Sequence, residues 1–221
     1  MKMKNIAAVA MAGCMAASLA ACGGSASSAA TDASSAASTE AATSEATEAT
    51  GTSANGFTVQ LGSNPETLDP ALNSAIDGAN TLITVFEPLL LIDENNEVVP
   101  GQADLPEVSE DGLTWTFTMK DGLKWSDGSD LTAKDFEYSF KRLACPDTAA
   151  PYGETVVGMI DGYQDAIGNP DADGNTTTDP DWDALNVHAS EDGKTLTIQL
   201  AYPCSYFDKL CAFAAMSPVQ Q

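Results

Sequence analysis

Apolar and polar positions divide the chain into three regimes. Residues 1–22 are mostly apolar, with Lys2 and Lys4 in front. Residues 23–55 are built almost entirely from Ser, Thr, Ala, Gly and Glu. From Phe57 onward Val, Ile, Leu and aromatic residues return, separated by turn residues. Phe57-Thr58-Val59-Gln60-Leu61 alternates apolar and polar positions, which predicts a half-buried strand. Residues 81–91 carry Leu82, Ile83, Val85, Phe86, Leu89 and Leu90; the first part predicts a helix limited by Pro88. Residues 114–120 alternate Thr with Trp115, Phe117 and Met119, a second strand. Residues 131–142 predict a helix with Phe136, Phe140 and Leu143 along one face. Its start carries Thr132 with Asp135 three positions later, which resembles a capping box. Residues 206–215 predict a short helix with Phe207, Leu210 and Phe213 inward.

One stretch echoes another. Ser109-Glu110-Asp111-Gly112 leads into the Thr-alternating strand at residues 114–120. Ser190-Glu191-Asp192-Gly193 leads into Thr195-Leu196-Thr197-Ile198-Gln199-Leu200, built the same way. Two copies cannot stack into a solenoid, so they read as two strands of one antiparallel sheet. The fold class is mixed α and β.

Charge narrows the function. The 221-residue chain has 32 acidic against 9 basic residues, a net −23, which repels nucleic acid and anionic lipid headgroups. Such acidity serves solubility or draws cationic ligands or metal ions. Residues 25–55 contain no aromatic, Val, Leu or Ile, so they cannot bury enough apolar area to fold. They predict a flexible tether with a mean span of roughly 30 Å.

Little catalytic chemistry is present. The single histidine, His188, sits beside an alternating strand, and one histidine cannot assemble a nucleophile–base pair. No phosphate-cradling glycine loop and no Cys-x-x-Cys pair occurs, so no enzyme, cofactor or zinc site is expected. Asp171-Ala172-Asp173-Gly174-Asn175 opens like a calcium loop, but its sixth position is Thr176 and its twelfth Trp182, so a solvated acidic loop is expected. Five cysteines occur: Cys14 and Cys22 in the leader, and Cys145, Cys204 and Cys211 in the folded part. An odd number there leaves one free or paired outside this chain. Cys204 and Cys211, two turns apart if helical, would lie roughly 10 Å apart, too far for a disulfide.

The leader has signal-peptide anatomy: a positive start, then an Ala-rich apolar stretch too short to span a membrane. It ends Leu19-Ala20-Ala21-Cys22-Gly23, which resembles the lipobox of bacterial lipoproteins. The resemblance implies acylation of the Cys22 thiol, cleavage before it, and an anchor on the outer face of the membrane. Two or more acyl chains hold a protein there stably.

Several further runs occur in one order. They are Glu66-Thr67-Leu68-Asp69-Pro70, Phe86-Glu87-Pro88-Leu89-Leu90 and Pro100-Gly101-Gln102-Ala103. After these come residues 115–128 with Lys124-Trp125-Ser126-Asp127-Gly128, residues 131–136, Pro146 to Tyr152, and Tyr206-Phe207-Asp208-Lys209-Leu210. Together they resemble the solute-binding proteins of oligopeptide and dipeptide ABC importers. The resemblance implies a periplasmic-binding-protein-like clamshell with an extra small domain. It implies residues 56–86 as the first segment of lobe I and 87–221 as the extra domain. Because family members are more than twice this length, it also implies that the rest of lobe I and lobe II are missing from this piece.

By the same resemblance the product is a monomer that captures a peptide at the cell surface or in the periplasm and delivers it to a permease and its ATPase. The ligand lies extended and is held through its backbone. Asn73, Ser74, Ala75 and Ile76 match the loop whose backbone pairs with it, and Tyr152 matches an aromatic lining the site. Read by themselves, Ser74 is equally a plain loop residue and Tyr152 equally ordinary packing after Pro151. Within the family, nickel chelates, haem or oligosaccharides are alternative ligands; a surface adhesion or sensing lipoprotein is the reading outside it.

Overall fold

A computed structural model describes Gln60 and residues 62–221. The leader, Cys22, the tether and all of the strand expected at residues 57–61 except Gln60 lie outside the described residues. The described residues belong to one unit.

The two echoed turns set up the centre of the fold. In the first, Gly112 N–H donates to Ser109 O and Leu113 N–H to the Asp111 carboxylate, at 2.9 and 3.0 Å. In the second, Gly193 N–H donates to Ser190 O and Lys194 N–H to the Asp192 carboxylate, at 2.9 and 3.1 Å. Each turn delivers a strand in the same phase. β3 is Glu107–Val108, β4 is Thr114–Thr118, β5 is Val187–Ala189 and β6 is Thr195–Gln199. They form one antiparallel sheet in the order β3-β4-β6-β5. The echoed strands β4 and β6 are direct neighbours, with Trp115 opposite Ile198 and Phe117 opposite Leu196. These four face the core, while Thr114, Thr116 and Thr118 lie opposite Gln199, Thr197 and Thr195 on the other face.

Helix α2, Ala133–Ala144, covers the apolar face. Phe136, Phe140 and Leu143 fall at i, i+4 and i+7 and are all buried. Each such side chain, fully buried, contributes about 1.5–3 kcal/mol of transfer free energy. The capping box is formed: Lys134 N–H donates to Thr132 Oγ1 and Thr132 N–H to Asp135 Oδ2. The cap shifts the helix two residues beyond the expected 131–142. It ends at Cys145, which is extended because Pro146 disfavours the helical region before it.

The remaining elements are short. Helix α1, Ile76–Val85, precedes a hairpin of β1, Leu90–Ile92, and β2, Val98–Pro100. α1 starts five residues before the sequence pattern at residues 81–91 indicates. Helices α3, Gly153–Val157, α4, Tyr163–Ala166, and α5, Phe207–Leu210, follow α2. The helix expected over residues 206–215 is thus only four residues long. Ala215 and Met216 take the buried positions through a separate 3₁₀ turn, and Pro218 keeps Ser217 extended. Phe213 is consequently half-exposed instead of inward, at 38%. Phe207 does point inward, edge-on to Trp115 with centroids 5.2 Å apart, which joins α5 to the sheet. No described helix is long and apolar enough to cross a membrane.

Candidate functional site

The loop before α1 is built outward from Asp69. Its main-chain carbonyl accepts from Leu72 and Asn73 N–H at 3.2 and 3.1 Å, and its carboxylate accepts from Ala71 N–H at 3.0 Å. That carboxylate also receives both prongs of the Arg142 guanidinium, Nη1 to Oδ1 at 2.9 Å and Nη2 to Oδ2 at 2.6 Å. The Arg142 hydrogen bonds hold the Asp69 carboxyl below its ordinary value, against the opposing cost of burial. Arg142 lies in the last turn of α2, where a cation also complements the helix dipole.

Asn73 continues the loop. It is buried, donates from Nδ2 to Ala75 O at 3.0 Å and accepts from Ala75 N–H at 3.4 Å. Gly78 leaves room for it, since a Cβ there would stand 1.9 Å from Asn73 Oδ1. Ser74 and Ala75 are exposed, and Ala75 is extended, with φ −112° and ψ 149°. Neither backbone group of Ser74 has a hydrogen-bond partner among the described residues. Ile76 is not part of the loop but the first residue of α1, and it is 81% exposed.

Tyr152 stands elsewhere on the same support. It precedes α3, is half-buried, and packs edge-on against Phe213. Its neighbour Gly153 sits so close to α2 that a Cβ would come within 2.4 Å of Leu143 O. The last turn of α2 therefore fastens both segments: Arg142 holds the Asp69 loop, and Leu143 receives the backbone beside Tyr152. No hydrogen bond joins Tyr152 to residues 73–76 among the described residues. Arg142 and Phe213 are the residues that sequence reasoning missed here. The signal for the first was available, because Arg142 is the only arginine in a chain with 32 acids.

The other candidates have local roles. The Asp171 carboxylate is engaged by the backbone N–H groups of Asp173 and Asn175, both at 2.9 Å, and organises its own exposed turn. Among the described residues no cluster of His, Cys, Asp or Glu is arranged to hold a metal ion. His188 is exposed on the edge strand β5 with Nε2 3.3 Å from Asn186 Oδ1. Cys145, Cys204 and Cys211 are free thiols. A recess of about 560 Å³ opens beside Trp125 and Pro218, but it meets the C-terminal end of α1, away from residues 73–76.

Residues 97–220, more than half of the chain, match the model of the bacterial extracellular solute-binding proteins, family 5, middle part. The chain belongs to this family. Its expected relation to oligopeptide- and dipeptide-binding proteins and its mixed α/β class both stand. The family 5 chain is 36% identical over 159 residues to the periplasmic oligopeptide-binding protein OppA of Salmonella typhimurium, covering 72% of this chain and 27% of that protein. It is 38% identical over 158 residues to the periplasmic murein peptide-binding protein MppA of Escherichia coli, covering 71% and 27%. The crystal structure of Haemophilus influenzae OppA in complex with the peptide RPPGFSPFR superposes with a TM-score of 0.64 at 28% identity, over 72% of this chain and 29% of that one. The chain thus spans about 27% of the length of these curated relatives. The family is one of solute-binding proteins, extracellular by its description.

Proposed function

We propose that the protein carrying this chain captures peptides outside the cytoplasmic membrane and delivers them to an ABC permease and its ATPase. Relatives named for oligopeptide and murein peptide binding support the ligand class. The observation that carries the reading in this chain is the exposed Ser74, whose backbone groups are unengaged among the described residues, beside the extended Ala75, whose own groups are held by Asn73 and Ala79. A backbone of that kind takes an extended peptide as an added strand, reading main chain before side chain. Asn73 shapes the loop from below, Ile76 begins the helix behind it, and Tyr152 offers an aromatic wall.

In the same reading Cys22 carries the lipid anchor, residues 23–55 let the binding body stand away from the membrane, and the product works as a monomer. Residues 56–86 belong to the first lobe and residues 87–221 to the small extra domain.

The test is native mass spectrometry of the full translated product with a pool of tri- to pentapeptides. Peptide adducts surviving buffer exchange are expected. A folded product that retains no peptide at millimolar concentration sinks the reading. For the anchor, labelled palmitate is expected to enter the wild-type product and not Cys22→Ser; equal labelling of both refutes it.

A further inference from the structure

The most constrained part of the candidate site is not the surface that faces solvent but the ion pair beneath it. Asp69 uses nearly every acceptor it has: its carbonyl holds Leu72 and Asn73, and its carboxylate holds Ala71 and the Arg142 fork. The chain from Asp69 to Asn73 is therefore one hydrogen-bonded turn whose orientation is set by where the carboxylate points. Arg142, 73 residues away in sequence and anchored in the last turn of α2, sets that direction. Asn73 passes it on, because its side chain holds Ala75 at both N–H and C=O.

We infer that Asp69 and Arg142 are positioning residues for ligand capture: the two-pronged pair aims the free backbone groups of Ser74, through Asn73 and Ala75, without either residue touching the ligand. The inference rests on the peptide-capture reading above. A planar fork fixes a carboxylate in two directions, which a point charge does not. Both side chains are about three-quarters buried, at 22% and 28% exposure, so the pair is screened less than a surface ion pair. An extended peptide bound through its main chain needs donors and acceptors in register within a few tenths of an ångström. A loop free to swivel about Pro70 would hold that register only part of the time, and apparent affinity falls by the fraction of time it is lost.

The experiment compares Arg142→Gln, Arg142→Lys and Asp69→Asn with wild type in the full translated product, all confirmed folded by circular dichroism. Affinities are measured for tri-alanine, tri-lysine and a Leu-containing tripeptide, and amide exchange is followed at Leu72, Asn73 and Ala75. Loss of one charged, partly buried hydrogen-bonded pair predicts about a tenfold weaker affinity in Arg142→Gln, uniform across the three peptides, because the loop contacts main chain only. The exchange at Ala75 is expected to accelerate. Arg142→Lys keeps the charge without the fork and is expected to fall between. If Arg142→Gln does not fold, Arg142→Lys and Asp69→Asn carry the test, each expected to weaken affinity severalfold. Folded variants with wild-type affinity, or a loss confined to one peptide, overturn the positioning role while leaving peptide capture intact. A wild-type product that binds none of the peptides overturns both.

Discussion

The ring of Tyr152 meets the ring of Phe213 edge-on, with centroids 5.2 Å apart and planes at 89°. The contact joins the start of α3 to the segment after α5, and it gives Tyr152 a packing role whatever the ring faces on its other side. An edge-to-face pair contributes about 0.5–1.5 kcal/mol beyond the area it buries. Phe213→Ala is therefore expected to lower stability by about 1 kcal/mol in urea unfolding. Tyr152→Phe is expected to change it by less than about 0.5 kcal/mol, since the hydroxyl makes no hydrogen bond among the described residues. A large loss in Tyr152→Phe would reveal a buried partner for that hydroxyl.

The Asp69–Arg142 pair also makes a statement about acid. Hydrogen bonding to Arg142 lowers the folded-state pKa of Asp69 from 3.8. A carboxyl with a lowered folded pKa stabilises the fold fully above its unfolded value, and the gain disappears as pH drops through the lowered one. Asp69→Asn is expected to be less stable than wild type near neutral pH, and the difference to shrink as pH falls below the ordinary value of 3.8. Other lowered carboxyls, such as Asp127, held at about 2 chiefly by Ser129, act alike in both proteins and cancel from the comparison. Equal differences at both pH values would disconnect the pair from acid sensitivity.

Gly193 and Gly112 occupy the same position in the two echoed turns, with φ of +70° and +72°. Alanine in that left-handed region costs about 1 kcal/mol at either site. Only at Gly193 would the new Cβ also strike a neighbour, Thr132 Cβ at 2.9 Å; at Gly112 the nearest atom is 3.5 Å away. Thr132 caps α2, so Gly193→Ala presses on the cap as well as the turn. Its loss of stability is expected to exceed that of Gly112→Ala by about 1 kcal/mol, the size of a weakened cap. Equal melting temperatures for the two variants would separate turn from cap.

The three thiols differ in access. Burial pushes the Cys211 thiol well above its ordinary range, and the thiolate is the reactive form. Cys145 is only partly buried. Iodoacetamide on the native protein is expected to label Cys145 first and Cys211 only after urea is added. Protection of both Cys204 and Cys211 in urea, lifted by reductant, would contradict the free-thiol arrangement.

What was legible in the sequence was local. The Thr132 cap, the helix face of Phe136 and Phe140, and the paired turns depend on residues within a few positions of one another, and all three formed. That β4 and β6 belong to one antiparallel sheet was readable from the two identical turns that launch them; that they are direct neighbours came from the fold. The short edge strands β3 and β5 offer two and three residues, too few for a period to emerge. Phe213 carries an apolar side chain at helical spacing, and only the break before the 3₁₀ turn sends it to Tyr152. The partnership of Asp69 with Arg142 is a tertiary fact, 73 positions apart, that no local pattern reveals. For the candidate loop, sequence supplied Asn73, Ser74, Ala75 and Ile76 by likeness, while the fastening to α2 came from the fold.

The centre of the sheet has a consequence for the order in which the unit assembles. Thr114 and Gln199 meet at 2.6 Å although 85 residues separate them. Closing so long a loop precedes any reward from pairing β4 with β6, and topologies dominated by such distant contacts fold slowly. A chain wired this way leaves β4 without its central partner, and the apolar face of α2 without its full cover, until residues 195–199 are available.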